Sequence, residues 1–422
     1  MKKVVAGSMV SALLALPSFG FELYNNDNTK LDVYASMRGY IGVGHNLSAP
    51  EGTGRPNAPT GYLMGLQNNS RFGINFSTGD FRAQVEYGWI EEGTSAGWRL
   101  YYGAYKTSSG EFLFGRQNSP TTDPGFSSNW LNADTGSLGF GGVALALRRI
   151  QVAYKIGGLN IALLEDKAGT GVNTGVTQVE DKAGTGVNTG VTQDGAYHRA
   201  NAQMPRIAVS YTAKDADGNL FLKVGASYVR VSGYGPYYSN YSGPDLHAYH
   251  AWFGYKPRFG NAYISFMANA GKNGDLYGEQ STTISTGAYT HGNINGNING
   301  NINTKIGYNA TRIGAHLEFG YDFSKQFGMA IGGGYQLTTG GSNQYKTTGE
   351  RDGGINSFAA FINLPYKVSQ NLTLAPLVAY YSVAGDADSN VRVAGDADSN
   401  VRFGKENKQS SVIGAVRIKW DF

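Results

Sequence analysis

Cysteine is absent from all 422 residues. That excludes a disulfide framework and fits a cell-envelope protein that avoids adventitious pairing. Long apolar runs are missing as well. Beyond the amino terminus no stretch approaches the roughly 18–20 residues that a spanning helix needs, and stripes at helical period are scarce. Charge is sparse, at 16% of residues, and the mean hydropathy is −0.31. Neither value describes a helical membrane protein. Net charge is small too. The formal +4 includes Lys2 and Lys3, and without those two the balance is +2. Nothing in so even a balance points to nucleic acid as a partner.

What is abundant is glycine (61), tyrosine (28) and phenylalanine (20). Combined with recurring short segments of alternating polarity, that composition predicts an all-β chain. Residues 1–20 read as a secretory signal. Lys2 and Lys3 form its basic start, Met9–Leu16 lies in its apolar stretch, and Ser18-Phe-Gly20 supplies small residues before a cut between Gly20 and Phe21. Residues 21–422 are then one unit.

Sixteen alternating segments follow, at 30–43, 62–77, 80–91, 96–106, 110–116, 147–156, 158–166, 199–213, 219–232, 245–257, 260–271, 305–320, 325–340, 353–366, 369–383 and 409–422. Their connections alternate in length. Thr78-Gly-Asp80, Ser108-Ser-Gly110, Ile156-Gly-Gly158 and Arg258-Phe-Gly260 are tight turns, whereas 44–61, 117–146, 167–198, 272–304 and 384–408 are long. An even number of strands, with tight turns at one rim and long loops at the other, describes a transmembrane antiparallel up-and-down β-barrel. Pro205 and Pro376 sit uneasily inside two of these segments, because a closed barrel has no free edge to host proline.

Three tandem repeats fall in the long connections. EDKAGTGVNTGVTQ at 165–178 recurs at 180–193, VAGDADSNVR at 383–392 recurs at 393–402, and GNIN occurs three times over 292–303. Their unequal periods do not define a solenoid, and loop expansion costs little closure entropy. Asp386, Asp388 and Asn390 are spaced like the start of a calcium loop, but the later glycine and closing glutamate are missing. No metal and no cofactor is expected.

A cationic side chain facing lipid near the midplane costs about 2–4 kcal/mol, so strand parity assigns charge to the interior. Leu31, Val33, Met37 and Ile41 then face outward, with Asp32, Tyr34, Ser36, Arg38 and Tyr40 inward. Phe72, Ile74 and Phe76 put Arg71 and Asn75 inside, and Phe81, Val85 and Tyr87 put Arg82, Gln84 and Glu86 inside. In the fourth strand Trp98, Leu100 and Tyr102 are expected outside, with Arg99 and Tyr101 inside. Ile150, Val152 and Tyr154 place Arg149 and Gln151 inside. The expected interior is polar and mostly basic, and sixteen strands enclose an aqueous channel. The last strand carries Val416, Ile418, Trp420 and Phe422 on its outer face and Arg417 and Lys419 on its inner face, near the rim of tight turns and so apart from any constriction.

Several segments resemble the general diffusion porins of Gram-negative outer membranes. The opening Glu22–Tyr34 (ELYNNDNTKLDVY) is followed in porin order by Asn69-Ser-Arg-Phe-Gly73, Gln84-Val-Glu-Tyr87, Trp98-Arg-Leu100 and Phe112-Leu-Phe-Gly-Arg116, and the terminal Phe422 matches the family's assembly signal. The likeness covers about the first 120 residues and the carboxy terminus. It implies a homotrimer, contact with outer-membrane lipid and lipopolysaccharide, delivery by the outer-membrane assembly machinery, and a third long loop (about 117–146) folded into the barrel. Carried over residue by residue, it implies a constriction with Arg71 and Arg99 as wall arginines, Glu86 as the accompanying glutamate, and Arg38 one same-face step from the family's wall lysine. Arg149 is a looser match, and Asp123 stands where the constriction loop is acidic. The family's Pro-Glu-Phe-Gly-Gly segment is replaced here by Pro124-Gly-Phe-Ser-Ser-Asn-Trp-Leu-Asn-Ala-Asp134.

These residues lead to passive diffusion of small hydrophilic solutes and ions, with Arg38, Arg71, Arg99 and Arg149 facing Asp123 and Asp134 across a narrow pore and with a weak preference for anions. A substrate-specific channel for sugar, phosphate or peptide, using Tyr101, Tyr105 or Trp130, is the second reading. A hydrolase is a third, with His247 and His250 the nearest candidates for a base, although neither lies in a recognisable motif.

Overall fold

In the computed structural model the alternating segments pair with their sequence neighbours, each antiparallel to the next. The structure describes residues 21–26, 28–48, 60–67, 69–88, 97–134, 136–144, 147–165, 201–202, 204–232, 246–272, 311–339, 355–385, 390–391, 401–402 and 408–422. The proposed signal and all three tandem repeats, apart from a few of their terminal residues, lie outside them.

The staves are β1 Thr29–Ser48; β2 in two pieces, Thr60–Leu66 and Arg71–Thr78; β3 Phe81–Gly88; β4 Gly97–Lys106; β5 Glu111–Asn118; β6 Arg148–Ile156; β7 Leu159–Leu164; β8 Arg206–Lys214; β9 Leu220–Ser232; β10 Leu246–Tyr255; β11 Ala262–Lys272; β12 Thr311–Asp322; β13 Gly328–Thr339; β14 Ile355–Asn363; β15 Leu372–Gly385; and β16 Lys408–Asp421. β16 pairs with β15 on one side and with β1 on the other, from Ser36↔Asp421 to Ser48↔Ser410, so the sheet closes on itself. Closure leaves no edge strand in the barrel. The chain is thus a sixteen-stranded antiparallel barrel with short turns at one rim and long connections at the other.

Parity holds along most staves. Tyr62, Met64, Ile74, Phe114, Val152, Leu317 and Ile331 form an exposed apolar outer surface, while the alternate positions are buried or half-buried. The tight turns at Gly79, Gly157 and Gly260 have φ of 54°, 55° and 60°, a region that only glycine enters without steric cost.

Four features depart from the sequence reading. A further short strand, Phe21–Asn25, pairs with β1 below the end of β16 (Phe21↔Val33, Asn25↔Lys30). It is exposed throughout and so carries no alternation to read. β2 is interrupted at 67–70, where the Ser70 hydroxyl takes over the ladder, accepting from the Arg38 amide (3.0 Å) and donating to the Arg38 carbonyl (3.1 Å). The proline conflict resolves locally. Pro205 falls outside β8, and Pro376 lies opposite Leu364, one residue past the end of β14, whose amide donates to the Pro376 carbonyl (2.9 Å). Finally, β4 carries a bulge. Glu86 pairs with Leu100 but Tyr87 pairs with Trp98, so Arg99 is the extra residue. An extra residue reverses the parity beyond it. Leu100 and Tyr102 are therefore buried inside, and Tyr101 and Tyr105 are exposed outside, against the expectation for this strand.

The described residues between β5 and β6, 119–134, 136–144 and 147, fold into the barrel instead of outward. Its apolar side chains meet the inner wall in two places. Trp130, Leu131 and Phe140 pack on Phe361, Leu377, Tyr381 and Ile413, and Phe126 and Val143 pack on Trp252 and Met267.

Candidate functional site

The inward segment crosses from the β5–β6 side to the opposite wall, and its carbonyls take the donors found there. Lys223 donates to Thr122 (2.8 Å), Trp252 to Thr121 (2.7 Å), Lys256 to Gly125 (2.9 Å) and Ser265 to Phe126 (2.5 Å). Further on, the Ser128 amide donates to Glu318 (2.7 Å), Asn129 to Tyr381 (2.8 Å) and Ser357 to the Gly139 carbonyl (2.6 Å). Polar residues that parity sent inward on β9–β15 thus satisfy a backbone that has no ladder of its own. The seating is close. A methyl group on Gly334 would lie 2.0 Å from the Phe140 carbonyl oxygen, and one on Gly141 would lie 2.0 Å from that of Ala315.

Two charged clusters lie on the first strands and the last. The first centres on Glu86. It accepts hydrogen bonds from Arg99 Nε (2.6 Å) and the Tyr34 hydroxyl (2.9 Å), and it forms an ion pair with Arg71, whose Nε lies 3.0 Å away. From Tyr34 a chain of hydrogen bonds runs through Gln84 (2.8 Å) and Tyr102 (2.9 Å) to Arg82, which grips Glu111 with two bonds of 2.6 Å. Arg148 lies close enough to act on Glu86, Arg99 and Arg71, and the Nη1 of its neighbour Arg149 donates to the Arg148 carbonyl (3.0 Å). One carboxylate therefore sits among Arg71, Arg99 and Arg148, and this cluster keeps an excess of positive charge.

The second cluster centres on Asp134, the last residue of the short helix α1 (Leu131–Asp134) in the inward segment. Arg38 of β1 donates to its Oδ2 at 2.5 Å, Asn69 donates to the same oxygen from the break in β2, and Arg417 of β16 donates to Oδ1. Burial works to raise this carboxyl, but the guanidinium groups of Arg417 and Arg38 outweigh it and hold it below the usual carboxylate value. Arg417, set apart in the sequence reading as a rim residue, thus reaches the inward segment. Its parity pointed inward, but only the fold brings Asp134 within its reach.

Asp123 behaves differently. It is buried, and its Oδ1 accepts the backbone amides of Gly125 (2.7 Å) and Phe126 (2.8 Å). Burial pushes this carboxyl up, against those two amides and the nearby Lys256. The structure therefore brings Arg71, Glu86 and Arg99 together and Arg38 to Asp134, while Asp123 bends its own loop and Arg149, buried, bonds the Arg148 carbonyl. Phe422 is exposed and stacks on Trp420 with ring centroids 5.2 Å apart. Trp130 is buried beneath the Arg417 guanidinium (5.5 Å), and Tyr101 and Tyr105 are exposed on the outer face, so none of the three proposed aromatic contacts presents an open surface to the interior. His247 and His250 point to opposite faces, His247 exposed beside the Tyr228 hydroxyl (2.9 Å) and His250 buried beside Ser227 (3.2 Å).

No family model matches the chain, and no curated protein matches it by sequence. Solved structures do match it in shape. The outer-membrane channel DcaP of Acinetobacter baumannii superposes with a TM-score of 0.57 at 15% identity, covering 96% of this chain and 99% of that one. The anion-selective porin from Comamonas acidovorans gives 0.53 at 12% identity, covering 93% and 100%. OmpF of Salmonella typhi, in complex with daunomycin, gives 0.52 at 14% identity, covering 94% and 100%. At such identities the likeness speaks to the fold, which is that of the outer-membrane porins.

Proposed function

We propose that this chain is an outer-membrane channel through which small hydrophilic solutes and ions diffuse passively, constricted by the inward segment and weakly selective for anions. The observation that carries the reading is the wall around Glu86, where one carboxylate is shared by Arg71 and Arg99 with Arg148 alongside. The acids expected to face it are engaged elsewhere, Asp134 with Arg38 and Arg417 and Asp123 with backbone amides. Screening acts over roughly 8 Å at physiological salt, so the excess positive charge extends across a narrow passage.

The wider reading includes secretion with loss of residues 1–20, assembly through the Phe422 signal, contact with lipopolysaccharide, and a homotrimer. A substrate-specific channel is less well supported, because Tyr101 and Tyr105 face outward. Planar-bilayer recording of the purified protein tests the proposal. Stepwise conductance in groups of three, with an anion-selective reversal potential in a salt gradient, is the expected result. A silent bilayer rejects the channel, and a cation-selective sign rejects the charge assignment.

A further inference from the structure

The inward segment is held on two sides by different means. Against β9–β15 the anchors are spread along its backbone, from Thr121 to Gly141. Against the seam where β1 meets β16, the ionic anchoring passes through Asp134. Both of its carboxylate oxygens are used, by Arg38 from β1 and by Arg417 from β16. Those arginines are neighbours across the closing ladder, since Arg417 pairs with Tyr40 and Arg38 with Lys419. Like charges placed side by side on paired strands repel. The local compensation for Lys419 is Asp421 (2.7 Å), which also accepts from Ser36 (2.7 Å). The partner shared by Arg38 and Arg417 comes from the inward segment.

The backbone accommodates this role. Among the described residues Asp134 is the non-glycine residue with positive φ, at 70°. That left-handed region is sparsely used by residues other than glycine, and aspartate is among the few side chains that enter it at little cost. The Gln67 side chain adds a bond to the Trp130 carbonyl (2.8 Å), and Arg417 lies over the Trp130 ring, so the turn before Asp134 rests on the same seam.

We infer that Asp134 is a clasp across the closing seam of the barrel. It bridges the first and last strands from inside and seats the inward segment at the same time, so barrel closure and placement of that segment depend on each other. The inference requires only that the segment lies inside the barrel, and its test does not involve ion passage.

The full chain has no cysteine, so Leu131→Cys introduces a single thiol at a buried position beside the clasp. In that background, Asp134→Asn is expected to speed labelling by a hydrophilic maleimide at least about tenfold, as local opening does, and to lower the heat-unfolding midpoint of the barrel in detergent. Arg417→Gln is expected to do the same, and the double variant to add little to either. If Asp134→Asn does not fold, Asp134→Gly replaces it, since glycine accepts the positive φ while removing the carboxylate. Unchanged labelling and midpoint would overturn the clasp, and so would fully additive effects of the two substitutions.

Discussion

Ala35 and Phe422 exchange both of their backbone hydrogen bonds, the Phe422 amide donating to the Ala35 carbonyl at 2.9 Å and the Ala35 amide to that of Phe422 at 3.2 Å. This pair ends the seam between β1 and β16. Immediately below it Phe21 meets Val33, so the piece Phe21–Asn25 continues the line of β16 along the same edge of β1. The same seam is where Arg38 and Arg417 converge on Asp134.

The outer surface gives the plainest prediction. Leu317 is 57% exposed at the middle of β12, on the face that meets lipid. Leu317→Arg is expected to cost about 2–4 kcal/mol, measured by denaturant unfolding in bilayers, because a cation at the midplane loses its hydration.

The close seating of the inward segment gives a second. Gly334→Ala drives a methyl group to 2.0 Å from the Phe140 carbonyl. Backbone must shift to make room, at a cost of about 1–3 kcal/mol. Gly414→Ala has nothing within 4 Å of the added methyl and should leave the unfolding midpoint unchanged. Thermal unfolding of the two variants side by side reads the difference.

Acid should act on the clasp with a defined sign. The Asp134 carboxyl is held below its ordinary value of 3.8 by Arg417 and Arg38 in spite of burial. A depressed carboxyl contributes stability that is fully present above the unfolded value and is lost as pH falls through the folded one. Single-channel current is therefore expected to be steady from neutral pH down to about 4 and to become noisier below it. Asp123, raised by burial, has the opposite sign and favours the fold as it takes up its proton. Asp134→Asn should remove the acid step, which assigns it to the clasp.

Selectivity is the fourth test. Arg71 is half-buried and shares Glu86 with Arg99. Arg71→Glu reverses one charge and leaves two acids side by side, so the reversal potential in a salt gradient should move toward cations. Arg258→Gln, at an exposed turn where Arg258 pairs with Asp322 at 2.6 Å, should not move it, because the screened charge is remote from the wall.

Alternation was enough to read the sixteen staves, their order and the inner position of Arg38, Arg71, Glu86, Arg99 and Arg149, because a side chain's face on a strand follows from its position alone. The bulge at Arg99 was not legible. It exists only relative to the partner strand, where Glu86 and Tyr87 skip a residue. The fates of Asp123 and Asp134 were not legible either, since both lie in a segment without period. One turns back to the amides of Gly125 and Phe126, and the other crosses to Arg38 and Arg417, which lie 96 and 283 residues away along the chain. Local polarity therefore decided which residues line the barrel. Which of them meet was decided by closure of the sheet and by the path of the inward segment through it, because those contacts form between residues that only the completed barrel brings together.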